Sequence, residues 1–337
     1  MEQTYANFIE SEGIPIHRSM STRALEAVEV GPWARLGGNG AFIQLDGRGL
    51  ADAYLIEIPG NGELREVRHL FEELVYVVEG SGRTEFWNDA GYATGFNWEK
   101  GSVFAIPLNV HFKHLNAGAS PARLFAITNA PVMLNLFHDV DFVFDCEHDF
   151  LDRYDEGHVD FRRPVVPDEN CSFSGFYVPN AVDVPLPPNP RRGANGSSLM
   201  LELANCSLGA HMSEFAPGSY KKAHRHGAGA HVMILSGTGY SLLWKGNDHW
   251  TQVDRFERID WEPGAVFAPP EMWFHQHFNT GDGPARYLAL RFAGGSHGII
   301  PEYTDPRPTT QGGDQVEYEE EDPKTKQLFD EEMAKSS

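Results

Sequence analysis

Short apolar runs broken by glycine, proline and asparagine set the rhythm of this chain. The stretch "LVYVVEGSGRTEFW", residues 74–87, reads as a strand, a glycine-bearing turn and a second strand. β-Branched and aromatic residues suit a pleated surface, and glycine supplies the turn. "SVFAIP" and "ARLFAITNA" read as further strands. Helical signals are confined to the two ends. "YANFIESEG" has the length for two turns, and in "DPKTKQLFDEEMAKSS" Leu328, Phe329 and Met333 fall at helical spacing. Strands without helices between them predict an all-β antiparallel sandwich or barrel.

The pattern occurs twice. "WEKGSVFAIPLNVHFKHLNAGASPARLFAI" begins at Trp98 and "WEPGAVFAPPEMWFHQHFNTGDGPARYLAL" at Trp261, an offset of 163 residues. Upstream, "FEELVYVVEGSGRTEFW" ending at Trp87 matches "GAHVMILSGTGYSLLW" ending at Trp244, an offset of 157. Two ordered blocks of similarity make the protein a duplicated domain. The expected organisation is an N-terminal arm over 1–40, a first barrel over 41–149, a connector over 150–196, a second barrel over 197–300 and an acidic tail with a helix over 301–337. Proline density in "VPLPPNPRRGANGSS" excludes central strands, so the connector is expected to be an extended crossing segment. The acidic "VEYEEEDP" is expected as a solvated face or a docking strand.

With 41% hydrophobic residues and 22 phenylalanines, the 337-residue chain can fill real cores. A net charge of −21 argues against nucleic acid and anionic membrane surfaces as partners. It does not report on the charge of a pocket. Cys146, Cys171 and Cys206 form neither a disulfide framework nor a zinc-finger spacing, so a reducing cytoplasm is the expected compartment. The N-terminal stretch lacks the apolar core of a secretory signal, and no apolar run is long enough to predict a membrane span.

The stretch "HRHGAGAHVMILSG" places His224 and His226 on one face of an extended segment. With its neighbours it resembles the cupin superfamily in its two-barrel, bicupin form. Gly218, His224, His226 and Gly237 match the first cupin motif. Gly264, Pro270, His275 and Asn279 match the second, with Met272 standing where the motif has glycine. The resemblance covers roughly two thirds of the chain and implies two tandem jelly-roll (double-stranded β-helix) barrels with short terminal helices.

It also implies a metal centre in the second barrel, with His224, His226 and His275 as ligands to a first-row divalent ion. Ala230 stands where cupins commonly supply a glutamate, so the ligand set is neutral. In this it is similar to the three-His iron dioxygenases of the gentisate and salicylate type, which implies Fe(II), with Mn, Ni or Zn as alternatives. Gentisate-type bicupins carry their metal in the first barrel, whereas here the intact triad is in the second. His231 is a fourth ligand if the "GAGA" loop shifts strand parity, and otherwise a group facing substrate. His277 shares the face of His275. Arg291, where the first copy has Thr128, would clamp a substrate carboxylate or else pair with an acidic residue. Trp273, Phe274, Tyr240 and Trp244 are candidates for an aromatic wall.

The first copy is an internal control. His69 matches His226 and Glu73 matches Ala230, but Val67 and Phe112 stand where His224 and His275 are. That predicts a metal-free barrel in which His69 and Glu73 hydrogen-bond each other, with His111 and His114 as the nearest substitutes for a ligand. The resemblance thus implies a metal-dependent bicupin enzyme: a non-haem Fe(II) dioxygenase using O2 on a small, oxygenated, anionic substrate of which hydroxy-aromatic acids are one kind. The alternative is an Mn, Ni or Zn lyase, isomerase or decarboxylase, and the third reading is a non-catalytic binding protein. A homodimer or larger homo-oligomer is expected.

Overall fold

The computed structural model describes residues 4–45, 50–151, 153, 159–193, 195–227, 230–246, 256–291 and 305–336. Residues 228–229 of the "GAGA" loop and 292–304 at the expected start of the tail lie outside them. Both expected terminal helices form, Thr4–Ser11 and Pro323–Ser336. The expectation that helices are confined to the ends is corrected by two more, Ala130–Phe137 and Val140–Asp145. Pro131 sits in the first turn of one, and the Asp139 side chain accepts from the Phe142 N–H to cap the other. The run "APVMLNLF" continues the apolar strand before it, and periodicity alone does not separate a short buried strand from a short helix.

The remainder is β-structure built twice to one plan. In the first copy a long sheet runs Ile16–Arg18, Gly38–Gln44, Asp52–Ile58, Ala122–Thr128, Glu73–Glu79, Val103–Ile106 and Tyr177–Val178, each hydrogen-bonded to the next. A short sheet of His111–Asn116, Ser81–Trp87 and Ala93–Glu99 faces it. In the second copy the corresponding order is Ser172–Gly175, Ser197–Leu203, Gly209–Phe215, Ala285–Arg291, His231–Ser236, Val266–Phe267 and Ser21–Thr22. Its partner sheet is Ser219–Tyr220, Phe274–Asn279, Gly239–Trp244 and Glu257–Trp261. Even the irregularities repeat. A register shift at Arg123/Leu124 recurs opposite Ile234/Ser236, where Arg286 and Tyr287 sit at the same offset.

The outermost strand of each long sheet comes from the other copy's leading segment. Ser21–Thr22 of the N-terminal arm pairs with Val266–Phe267 of the second barrel, and the Leu25 N–H donates to the Gly264 carbonyl. Tyr177–Val178 of the connector pairs with Val103 and Phe104 of the first barrel, and the Ala181 N–H donates to Gly101. Each crossing is gripped by the arginine of the repeated P-A-R. Arg123 donates to the carbonyls of Leu25, Glu26 and Val28, while Arg286 donates to those of Ala181, Val182 and Val184. The two long sheets share one apolar core in which Leu74 and Phe125 of the first copy join Met233 and Leu288 of the second. Fully burying such side chains contributes about 1.5–3 kcal/mol each, which makes this shared layer the main adhesive between the barrels. A polar tie reinforces it: buried Glu72 accepts from the Ser207 and Leu208 N–H groups, from the Ser207 hydroxyl and from Asn129.

Candidate metal centre

His224 and His275 face each other across an isolated antiparallel bridge, and each main-chain N–H donates to the other's carbonyl at 3.1 and 2.8 Å. His226, two residues on, returns to the same face. The three imidazole centroids stand 4.3, 4.7 and 5.6 Å apart, and one nitrogen of each ring falls within 4.8 Å of the others. The Nδ1–H of His226 donates to the Gly227 carbonyl at 2.9 Å, and that of His275 to Trp273 at 3.1 Å. A carbonyl only accepts, so these bonds fix the tautomer and leave each Nε2 lone pair for a ligand bond. His224 Nδ1 is buried and makes no hydrogen bond among the described residues. Burial holds His224 and His275 well below the usual histidine range, so both are neutral at physiological pH. Three neutral imidazoles, two pre-oriented and one with an orphaned ring nitrogen, fit a divalent first-row ion.

The turn before His275 keeps its motif geometry without the glycine. Met272 has φ 58°, its N–H donates to the His226 carbonyl at 2.9 Å, and Asn109 at the same place in the first copy also has φ 58°. A left-handed methionine is strained, so the turn is imposed by its surroundings rather than by its own residue.

The other sequence-predicted residues distribute differently. His231 opens the strand His231–Ser236 opposite Leu290 and lies outside the three-histidine group. His277 is also outside it. Its Nδ1 takes the Ser241 hydroxyl at 2.8 Å, and that oxygen accepts from Trp261 Nε1 at 3.0 Å. The same relay, Trp98 to Thr84 to His114, stands in the first copy at 2.9 and 2.7 Å, so it braces both barrels. The expected aromatic wall is corrected. Tyr240, Trp244 and Phe274 pack with Phe278 and Phe329 beneath the C-terminal helix, and Trp273 packs against a separate cluster. Strand parity explains it: Ser241 and His277 point inward, so their even-numbered neighbours point out.

Arg291 does line the cavity beside the histidines. This cavity, about 120 Å3, is bounded by His224, His226, Arg291 and four groups that sequence reading passed over, Arg192, His211, Lys221 and Tyr287. Lys221 is 3% exposed and has no carboxylate partner among the described residues. Its ammonium donates to the Ser213 hydroxyl and, at 3.3 Å, to the Tyr287 oxygen. Burial raises the Tyr287 phenol, but the Lys221 charge and the bonds to Ser213 and Lys221 outweigh it and hold the group below 10.0. Burial, then Arg291 and Lys221, keeps His211 neutral. The repeat held the signal for these residues. Where the second copy has Ser213, Lys221 and Tyr287, the first has Ile56, Leu64 and Leu124 at the same offsets.

The acidic segment after residue 304 docks beside the site. Gln315 bridges His224, the Val316 N–H donates to Ala223, Arg225 pairs with Asp314 at 2.7 Å, and Lys222 pairs with Glu317. In the first barrel the expected partners meet, His69 Nε2 lying 3.1 Å from Glu73 Oε1, though Nε2 makes no hydrogen bond among the described residues. His111 turns outward to Glu66 and Asp89.

Paired jelly-roll barrels with this strand order and a three-histidine cluster in one of them are the bicupin architecture. Solved structures agree. Oxalate decarboxylase of Bacillus subtilis, in a two-residue deletion mutant, matches with a TM-score of 0.52 at 13% identity over 81% of this chain and 77% of that one. A structure of oxalate decarboxylase concerned with substrate binding mode and a reaction specificity switch matches at 0.52 and 14% identity with the same coverage. A tryptophan-to-tyrosine variant of the Bacillus subtilis enzyme matches at 0.51 and 14%. At such identities the likeness shows the fold, and the gentisate likeness gains nothing from it. No protein-family model matches the chain, and no curated protein matches it. Among the described residues, no helix is long and apolar enough to cross a membrane.

Proposed function

We propose that this chain is a metal-dependent bicupin enzyme of the lyase or decarboxylase kind, acting in its second barrel on a small carboxylate anion. One observation carries the reading. In a chain of net charge −21, the cavity that reaches His224 and His226 is lined by Arg191, Arg192, Lys221 and Arg291 and by no Asp or Glu among the described residues. Leaving a buried ammonium without a counter-charge is costly, and an anionic substrate offsets that cost. The oxalate decarboxylase matches, proteins of the same two-barrel build, agree with this chemistry. His224, His226 and His275 would hold the ion, which supplies Lewis-acid polarisation of a carboxylate oxygen when bound.

The chain's own groups do the rest. Lys221, Arg192 and Arg291 bind and orient the carboxylate. When a carbon–carbon bond breaks to release CO2, the electron pair stays on the remaining carbon. Tyr287, held below the usual tyrosine range beside Lys221, is the group to deliver a proton there. The dioxygenase reading rests on one specific feature: Ala230, 1% exposed, leaves the ligand set without a carboxylate.

One assay separates the two. The purified protein is analysed for metal, loaded with Mn(II) or Fe(II), and given a panel of small mono- and dicarboxylates and phenolic acids while CO2 and O2 are followed together. CO2 release from a carboxylate without net O2 uptake is expected. Stoichiometric O2 uptake with a phenolic acid would replace the lyase reading by the dioxygenase, and no turnover on any member overturns both.

A further inference from the structure

The acidic segment after residue 304 does more than cover the three-histidine barrel. Its backbone runs along the ligand segment: the Arg225 N–H donates to Asp314 at 3.0 Å and the Val316 N–H to Ala223 at 2.9 Å, which sets Gln315 opposite His224. Gln315 is buried. Six of the nine residues 314–322 are acidic, yet Gln315, which meets an arginine of the cavity wall, is neutral. Its Oε1 accepts from Arg192 Nη1 at 3.3 Å, and Arg192 lines the cavity that reaches His224 and His226.

A closed circuit of bonds holds that contact. Gln315 Nε2 donates to Glu317 at 2.7 Å, Glu317 accepts also from Lys222 Nζ, and the Lys222 N–H donates to the Arg192 carbonyl at 3.0 Å. A guanidinium only donates and a carboxylate only accepts, so the Gln315 amide has one orientation. Burial would raise Glu317, but its bonds to Lys222 and Gln315 outweigh it and hold the carboxyl below the usual range. The ionised Glu317 is thus matched by Lys222. The turn Pro190–Arg192 is steadied from the same side. Gly193 has φ 73°, and any Cβ there would strike Tyr318, whose hydroxyl donates to the Tyr220 carbonyl at 2.6 Å. A neutral amide orients the guanidinium without cancelling its charge, whereas a carboxylate at the same place would form an ion pair with it.

We propose that Gln315 is a positioning residue that determines specificity in the second barrel: it aims Arg192 at the cavity and leaves the arginine's charge to an anionic substrate. Gln315 acts through Arg192 and does not itself touch substrate. The assignment rests on the anion-binding part of the function proposed for this barrel, and not on which bond is broken there. It makes the C-terminal segment a working part of the site rather than a cover.

The probe is malonate, a small dianion, titrated by calorimetry into the full-length protein loaded with Mn(II), so the result does not depend on turnover. Gln315→Glu keeps the side chain's shape and adds a charge; it should weaken binding by about tenfold or more, at unchanged metal content and urea midpoint. Gln315→Met removes the acceptor and should weaken binding by about threefold, but should do nothing further in an Arg192→Gln background, because the two residues act as a unit. On any carboxylate the parent turns over, Gln315→Glu should raise KM at nearly unchanged kcat. Binding unmoved by both Gln315 variants, or a Gln315→Met effect that persists without Arg192, would overturn the assignment. So would loss of metal in step with binding, which would make Gln315 a support of His224 instead. A parent that binds malonate but turns over no carboxylate overturns the lyase reading alone, whereas a parent that binds no malonate overturns this inference.

Discussion

The two barrels have one backbone and opposite interiors. Val67 and Phe112 occupy the same isolated antiparallel bridge in the first barrel that His224 and His275 occupy in the second. Around that bridge Tyr54, Ile56, Leu64, Leu124 and Thr128 stand in register with His211, Ser213, Lys221, Tyr287 and Arg291. What both barrels keep is bracing: the Trp–hydroxyl–His relay, the left-handed turn residue, and the asparagines Asn116 and Asn279. Each asparagine donates to three carbonyls and accepts one N–H. The scaffold is thus specified by a small set of turn and hydrogen-bonding residues, while seven inward-facing side chains decide whether the interior is basic or greasy. The difference lies in chemistry rather than in architecture.

The largest effect expected from breaking that contrast is at the ligands. His224→Ala and His275→Ala should each lower bound metal by at least about 100-fold in affinity, read by metal analysis after dialysis. The converse is more searching. Val67→His with Phe112→His, on the same bridge beside His69, should raise the metal content from one to two equivalents per chain. If the stoichiometry does not rise, side-chain identity alone does not account for the difference between the barrels.

Next is the cavity's charge. Lys221→Met should reduce kcat/KM for the carboxylate by about 100-fold, mostly through KM, at unchanged metal content. The same change should leave thermal stability equal or higher, because a buried charge is replaced by an apolar chain. A loss of metal along with activity would show that Lys221 supports the ligands rather than the substrate.

A third test concerns pH. Burial raises Glu73 from 4.5 in the open chain to about 8 in the fold, so the folded state holds a proton that the unfolded state has released. Its stabilising contribution is complete below about pH 4.5 and is lost as pH rises through about 8. Glu73→Gln imitates the protonated form, so its advantage in Tm over the parent should be small at pH 5 and grow to several degrees at pH 8. A constant difference between the two pH values would place Glu73 in contact with water or a counter-charge. The smallest effect is expected at Met272. Replacement by Gly relieves a left-handed φ of 58° and should stabilise the chain by about 0.5–1 kcal/mol in urea unfolding.

Much of this was legible in the chain itself, and the physical reason differs from part to part. The all-β class followed from short apolar runs broken by glycine, proline and asparagine, and the duplication from a repeat long enough to exclude chance. Alternation in an extended segment put His224 and His226 on one face, while His275 joined them only through the resemblance to the second cupin motif. The helices over 130–145 were not legible from periodicity, although Pro131 and Asp139 were punctuation in plain view. Lys221, Tyr287 and His211 lie on segments that only the sheet order brings to the cavity, so no local spacing marks them. Comparing the copies did single out Arg291 against Thr128, and the same comparison at Leu64 and Leu124 points to Lys221 and Tyr287.

The exchange of leading segments makes neighbourhood along the chain a poor guide to dependence. The first thirty or so residues precede the first barrel, but their short strand completes the long sheet of the barrel that holds the histidines. A truncation there would strip an edge from the distant barrel and leave Val266 and Phe267 open to pairing with another molecule. Likewise, the second barrel cut out on its own would be a half-finished object, and a protease nick in the connector would harm the barrel that comes before it. The two halves are therefore mutual finishers: each lends the short strand that closes the edge of the other's long sheet.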